Sequence, residues 1–253
     1  TDFAGEVVAI GSGVTRFAIG DRVMGFHDHG LGSHAQYLRV SERRPIVRIP
    51  DGISFEAAAA SMEGAHYARN FLRCVPLKPG DAVLVNGATG AIGSAAIALL
   101  KNAGAIVTAV CAEPHRAAVA ALGADRTIDY LRAPFTAQLE GETFAFVFDA
   151  VGKSSFGECR PLLAKAGVYL SSELGPRGEN PFLALIAPLM RGPKVRFPVP
   201  TDIPQSLALA SSLLAQGAYK PLIDRRYALD DIREAFTYVN SGQKIGNVLL
   251  TFD

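Results

Sequence analysis

Apolar residues are spaced in two different ways along this chain, and the change comes near residue 54. Before it they form short runs broken by glycine, aspartate and proline: FAGEVVAI (3–10), RVMGF (22–26), AQYLRV (35–40) and IVRI (46–49). Such runs, divided by the glycines at 11 and 13, by Gly20 and Asp21, and by Pro50, Asp51 and Gly52, predict strands. The first fifty residues therefore read as all-β. The next stretch, SFEAAAASMEGAHYARNFLR, predicts helix with Ser54 as its N-cap.

From residue 82 onward strand and helix patterns alternate. Strands are predicted at 82–86 (AVLVN), 105–110, 127–130, 144–149 (FAFVFD) and 168–172. Between them, 91–102 places Ile92, Ala95, Ala96, Leu99 and Leu100 on one helical face. Helices follow at 115–122, stopped by Gly123, and at 135–140 and 156–164. This alternation predicts the α/β class, with a parallel sheet covered on both faces. Further helices at 182–190, 204–216 and 230–240 precede a last strand at 247–252 (NVLLTF). No internal repeat or low-complexity run interrupts the pattern.

Composition narrows the function. The 253 residues carry a formal net charge of +1, so no basic field is available for nucleic acid. Three cysteines, Cys74, Cys111 and Cys159, are too scattered for a disulfide framework or thiolate cage, and a reducing, cytoplasmic setting fits them. Apolar stretches such as 103–112 and 182–190 fall short of the roughly 18–20 residues that span a bilayer, so no membrane partner is expected. The chain opens in a strand, without a signal-peptide pattern or an initiating Met, and its natural N-terminus is expected upstream.

The chemistry starts at NGATGAIG (86–93). Gly87, Gly90 and Gly93 follow a strand and open a helix, inside a complete strand–helix–strand unit. Gly87 permits a tight exit, Gly90 lets backbone N–H groups approach a pyrophosphate, and Gly93 lets the helix lie on the sheet. Together with Ala88, Thr89, Ala91 and Ile92 they form a candidate dinucleotide cradle at a helix N-terminus. A free ribose 2′-hydroxyl is usually gripped by an acidic residue at the end of the second strand. Here that end is Val110, Cys111 and Ala112, with His115 and Arg116 following and Tyr130 closing the next strand. A neutral strand end beside a cation suits a 2′-phosphate, so NADPH is expected ahead of NADH. Glu113 stands against this, since it could hold the ribose or repel a phosphate. Cys111 reads equally as an adenosine contact or as a small buried hydrophobe.

The segments at 2–25, GSHAQYLRV (32–40), EGAHYARNFLR (63–73), 78–111, LGADRTIDY (122–130), FDAVGKSSF (148–156) and GQKIGNVLL (242–250) occur in an order that resembles one family. It is the medium-chain dehydrogenase/reductase superfamily, in its zinc-free quinone oxidoreductase-like branch. The resemblance covers essentially the whole chain. It implies a GroES-like β domain, incomplete here at its N-terminal side, over 1–60 and 219–253, and a Rossmann domain with a doubly wound parallel sheet over 61–218. It also implies a cofactor lying in the cleft between these domains, and a homodimer.

Zinc-dependent relatives carry His and Glu where this chain has Thr1 and Asp2, and a later cysteine ligand where it has Ser61, Met62, Glu63 and Gly64. Their cluster of four cysteines is also absent, so no zinc is expected. His27, His29 and His34 sit close together in a glycine-rich stretch, and exposed loop histidines explain them better than a metal site. The resemblance places His66 beside the nicotinamide, where an imidazole could protonate a reduced carbonyl, or could simply pack an interface. Tyr67 reads as a packing aromatic. Val151, after the strand-end Asp149, and Lys244 and Asn247 in the terminal motif are implied cofactor contacts, although most relatives have Lys at 247.

Without zinc, a substrate must be polarised by hydrogen bonds, which suits a quinone, an enone or a related small carbonyl. A zinc-free NADP-dependent alcohol dehydrogenase is a variant of this reading. A non-enzymatic NADPH-binding redox sensor or structural protein is the alternative from another class. The apolar stretch 181–200 could line the substrate pocket or build a dimer edge.

Overall fold

The structure is a computed structural model that describes residues 1–26, 30–189 and 191–252. Two compact units divide the chain, one formed by residues 1–66 and 202–253 and the other by 67–201. The first begins with three antiparallel strands, β1 (Asp2–Glu6), β2 (Arg22–Phe26) and β3 (Ile46–Arg48), in that spatial order. β1 is shorter than its apolar run predicts. After Glu6 only Val7 stays bonded, to Asp21 at 2.9 Å and Gly20 at 2.8 Å, and Val8 and Ile10 are exposed.

The alternating run 35–40 forms no strand, which corrects the expectation. Alternation makes a strand only where a neighbour supplies N–H and C=O groups. No described strand pairs with this run, and Tyr37 is 72% exposed. The helix predicted from residue 54 is two helices, α1 (Phe55–Ala59) and α2 (Met62–Arg73). Ser54 caps the first by accepting the Ala57 N–H at 3.1 Å, as its position predicts. The break falls at Ser61, whose buried hydroxyl donates to the Ala58 carbonyl at 2.8 Å.

The second unit is built on six parallel strands: β4 (Ala82–Asn86), β5 (Ile106–Cys111), β6 (Arg126–Asp129), β7 (Phe144–Asp149), β8 (Leu163–Ser171) and β9 (Lys194–Arg196). Their spatial order is β6-β5-β4-β7-β8-β9. The chain thus starts in the middle, winds out one way, and returns to wind out the other. The order reverses between β4 and β7, the position at which doubly wound sheets take their ligands. Leu84 is flanked by Thr108 of β5 and Val147 of β7. Val83, Leu84, Val85, Val147 and Phe148 are fully buried, which is why these runs are apolar without alternation.

Covering the sheet are α3 (Ala91–Asn102), α4 (Arg116–Ala121), α5 (Phe135–Gln138), α6 (Phe156–Cys159) and α7 (Glu179–Ile186). The helix predicted over 156–164 is cut short because Pro161 allows only a 3₁₀ turn, Arg160–Leu162, before β8 begins. One core gathers Leu84, Val110, Leu139, Phe144, Val147, Tyr169 and Val195 from both halves of the sheet.

The chain then returns to the first unit through α8 (Ile203–Ala215), β10 (Ile223–Ala228), α9 (Ile232–Asn240) and β11 (Asn247–Thr251), with β10 and β11 paired in parallel. α8 packs on β2 and β3, so 202–218 groups with the first unit, where the sequence reading placed 61–218 in the second. Two strands had no apolar signature: β9 (KVR) is an edge strand and β10 (IDRRYA) lies in a two-stranded sheet.

Candidate functional site

The glycine loop lies where the sheet order reverses. β4 ends at Asn86, Gly87 turns the chain with φ +79°, and Gly90 is the N-cap of α3. The Ala88 N–H donates to the Val110 carbonyl at 3.2 Å and the Gly90 N–H to the Gly87 carbonyl at 3.0 Å. The loop is therefore pinned to β5 and to itself. Ala88, expected in the cradle, is fully buried and serves that turn. Thr89, Gly90, Ala91 and Ile92 are half-buried.

Close packing dictates the glycines. A Cβ on Gly93 would sit 2.1 Å from the Gly87 carbonyl oxygen, and one on Gly87 would lie 2.7 Å from the Val151 Cβ. A Cβ on Gly90 would stand 3.4 Å from the same carbonyl, which is ordinary contact. Gly87 and Gly93 are thus glycine for the protein's own packing. Gly90 is glycine without such a need, as expected of a position kept clear for something outside. No side chain caps α3, so the N–H groups of Ala91, Ile92 and Gly93 at its first turn have no helical acceptor. The helix dipole adds positive potential there, and an anion is the natural complement.

Beyond the loop, the expected contacts separate. Cys111 is 1% exposed and burial pushes its thiol up to about 11, which fits the small buried hydrophobe. Arg116 is exposed at the start of α4. Its Nε donates to Thr127 Oγ1 at 2.8 Å, and its Nη1 pairs with Glu113 at 3.0 Å. The two charges on which the nucleotide choice turns are therefore partners. Tyr130 is 52% exposed just past β6. Val151 lies against Gly87, on the loop that follows β7.

His66, Lys244 and Asn247 belong to the first unit. His66 is 2% exposed, with Nδ1 2.9 Å from Ser206 Oγ and its ring 5.6 Å from that of Phe26. Of the two roles left open for this imidazole, proton donor or packing group, its enclosure beside Ser206 and Phe26 favours packing. Lys244 donates to the Gly246 carbonyl at 2.8 Å, and burial lowers its pKa. The Asn247 side-chain amide donates to the Leu222 carbonyl at 3.0 Å. Of the candidate histidine cluster, His27 and His29 lie outside the described residues. His34 packs edge-on to Phe236 at 5.9 Å, and burial lowers its pKa.

What sequence reasoning missed is the support beneath the loop: Asn86, Asp149 and Tyr169, all buried. Asp149 accepts from Asn86 Nδ2 at 3.0 Å and from the Tyr169 hydroxyl at 2.9 Å. A polar residue closing an otherwise apolar strand, as in AVLVN and FAFVFD, is the signal that points to Asn86 and Asp149; Tyr169, inside β8, carries none.

The fold agrees with comparisons to known proteins. Residues 1–51 match the alcohol dehydrogenase GroES-like domain, and residues 122–250 match the zinc-binding dehydrogenase family. A quinone oxidoreductase of Pseudomonas aeruginosa is 31% identical over 98% of this chain and 79% of its own length. The chain belongs to the zinc-binding dehydrogenase family. Within this family of medium-chain dehydrogenases/reductases it is quinone oxidoreductase-like. A 2-methylene-furan-3-one reductase of Solanum lycopersicum is 30% identical over 98% of this chain and 62% of that protein. The crystal structure of a Pseudomonas syringae quinone oxidoreductase superposes with a TM-score of 0.82 at 29% identity, covering 99% of this chain and 81% of the other. Among zinc-binding dehydrogenases, then, this chain has the GroES-like and doubly wound parts its sequence implies. No described helix is long and apolar enough to cross a membrane.

Proposed function

We propose that this chain is an NAD(P)H-dependent, zinc-independent oxidoreductase that reduces a quinone, an enone or a related small carbonyl, with NADPH preferred. The observation that carries the reading is the Gly87–Gly90–Gly93 loop at the sheet's reversal point, whose Gly90 is kept bare although the protein's own packing does not require it. The uncapped first turn of α3 fits a pyrophosphate, so the residues present fit a dinucleotide. When bound, the nicotinamide cofactor supplies the hydride. The protein's share is binding and orientation. Ala91, Ile92 and Gly93 N–H groups hold the pyrophosphate, Arg116 meets the 2′-phosphate, and Val151 packs near the nicotinamide half.

The residues at the expected ligand positions support a zinc-independent reading. Thr1 and Asp2 take the place of the expected His and Glu, and the Ser61 hydroxyl is committed to the Ala58 carbonyl. Among the described residues no three His, Cys, Asp or Glu side chains gather as a ligand set. Polarisation of the substrate oxygen then falls to hydrogen-bond donors, which suits conjugated carbonyls. Two similar proteins support that substrate class by name, one acting on quinones and one on 2-methylene-furan-3-one, itself a conjugated ketone. Balanced charge and three free cysteines support a cytoplasmic protein without nucleic-acid partners. Exposed Phe182, Leu185 and Leu189 support a homodimer.

Parallel calorimetric titrations with NADPH and NADH test this. The wild-type chain is expected to bind NADPH more tightly. Arg116→Ala should weaken NADPH about tenfold and leave NADH within about twofold, because only the former offers a phosphate for the guanidinium. Glu113→Gln removes the competing carboxylate and should tighten NADPH a few-fold. Equal or tighter NADH binding by the wild type would overturn the preference and make Glu113 the ribose ligand. Binding of neither would sink the reading.

A further inference from the structure

One buried carboxylate collects an unusual number of donors directly under the glycine loop. Asp149, the last residue of β7, is fully buried. Its Oδ1 accepts from Asn86 Nδ2 at 3.0 Å, from the Gly152 N–H at 3.0 Å and from the Val151 N–H at 3.4 Å. Its Oδ2 accepts from the Tyr169 hydroxyl at 2.9 Å and from the Ser154 N–H at 3.2 Å. Burial pushes the Asp149 carboxyl up, and the Tyr169, Val151, Asn86 and Ser154 donors pull it back.

These bonds run in two directions. Asn86 is the residue before Gly87, so it ties Asp149 to the start of the glycine loop. Val151, Gly152 and Ser154 form the next loop, and the Ala150 N–H adds a 2.9 Å bond to the Asn86 carbonyl. The Val151 side chain then stands where a Gly87 Cβ would be. Tyr169 holds the far oxygen from β8, its ring 6.2 Å from that of Phe156. Two loops on neighbouring strands are thus locked to each other by a carboxylate that no ligand can reach.

We propose that Asn86, Asp149 and Tyr169 form a positioning unit that holds loop 150–154 in register with the glycine loop and so sets affinity for the nicotinamide half of the dinucleotide. The inference rests on the dinucleotide reading above. None of the three is a catalytic residue; each acts through Val151 and its loop. Preorganisation of this kind appears in affinity because a loop that must be ordered on binding weakens it.

The test compares two ligands on the full chain: NADPH, and 2′,5′-ADP, which lacks the nicotinamide half. Tyr169→Phe keeps the ring and removes one donor to the carboxylate. It is expected to raise the Kd for NADPH about tenfold, the loss of one hydrogen bond to a charged group, while 2′,5′-ADP stays within about twofold. Asp149→Asn should do the same more strongly; if it does not fold, Tyr169→Phe carries the test alone. Amides of Gly152 and Ser154 should exchange faster in Tyr169→Phe without ligand. Leu139→Val, in the same core, should lower thermal stability and move neither affinity. Parallel weakening of both ligands by Tyr169→Phe, or no change in either, would overturn the positioning role. Failure of the wild type to bind NADPH would overturn the dinucleotide reading and this inference with it.

Discussion

Gly93→Ala is expected to abolish dinucleotide binding and to destabilise the second unit at the same time. The new Cβ would meet the Gly87 carbonyl oxygen at 2.1 Å, and neither atom belongs to a flexible side chain. α3 must then move off the turn, taking the N–H groups of its first turn with it. Overpacking of this kind costs about 1–3 kcal/mol, and affinity for NADPH should fall by about a hundredfold or more. The informative contrast is Gly90→Ala. Its φ of −71° suits any residue and its Cβ would stand 3.4 Å from the nearest atom. Gly90→Ala should melt only about 2–4 °C below the wild type, since Ala is a poorer N-cap than Gly by roughly 1 kcal/mol. It should still weaken NADPH, because the lost space is the ligand's. Thermal melts and fluorescence titrations of both variants separate the two roles. Wild-type affinity in Gly90→Ala would remove the cofactor from that side of the loop.

The second large effect concerns Asp2 and pH. Its Oδ1 is buried without a hydrogen-bond partner, and its Oδ2 accepts the Glu63 N–H at 2.7 Å. Burial, with the Glu63 charge nearby, raises its pKa from 3.8 to about 8, against the pull of the Glu63 N–H. The folded chain therefore keeps a proton that the unfolded chain releases above about pH 4. Unfolding releases a proton throughout this window, so stability falls as pH rises from about 4 to about 8 and levels off above that. The loss is on the order of 6 kcal/mol. Asp2→Asn removes the titration, and thermal melts at pH 5 and pH 8 should differ much less for this variant than for the wild type. An equal pH dependence in both proteins would mean that the carboxylate is ionised in the fold.

Much of the doubly wound unit is legible in the sequence because its signals are local. AVLVN, FAFVFD and the apolar face of 91–102 are written in the period of the elements they form, and β4, β7 and α3 fall where those periods place them. Hairpin signals failed where pairing mattered. The run 35–40 alternates like a strand yet has no described partner, whereas β9 and β10 lack an apolar pattern and form because a neighbour is present.

The candidate site divides in the same way. Three glycines after a strand and before a helix point to a dinucleotide from the sequence alone, since both the turn and the close approach are properties of the backbone. Which glycine serves packing and which serves a ligand depends on contacts that only the folded chain makes: Gly87 against the distant Val151, and Gly93 against Gly87 across a turn. The pairing of Arg116 with Glu113 and Thr127, and the burial of His66 beside Ser206, likewise arise only when separate elements meet. The sequence by itself determined the fold class, the family and the glycine loop, because periodicity and backbone freedom are encoded residue by residue. Only the tertiary structure decided that His66 is enclosed and that Asp149 ties two loops together, because burial and hydrogen-bond partnership belong to pairs of residues brought together by folding.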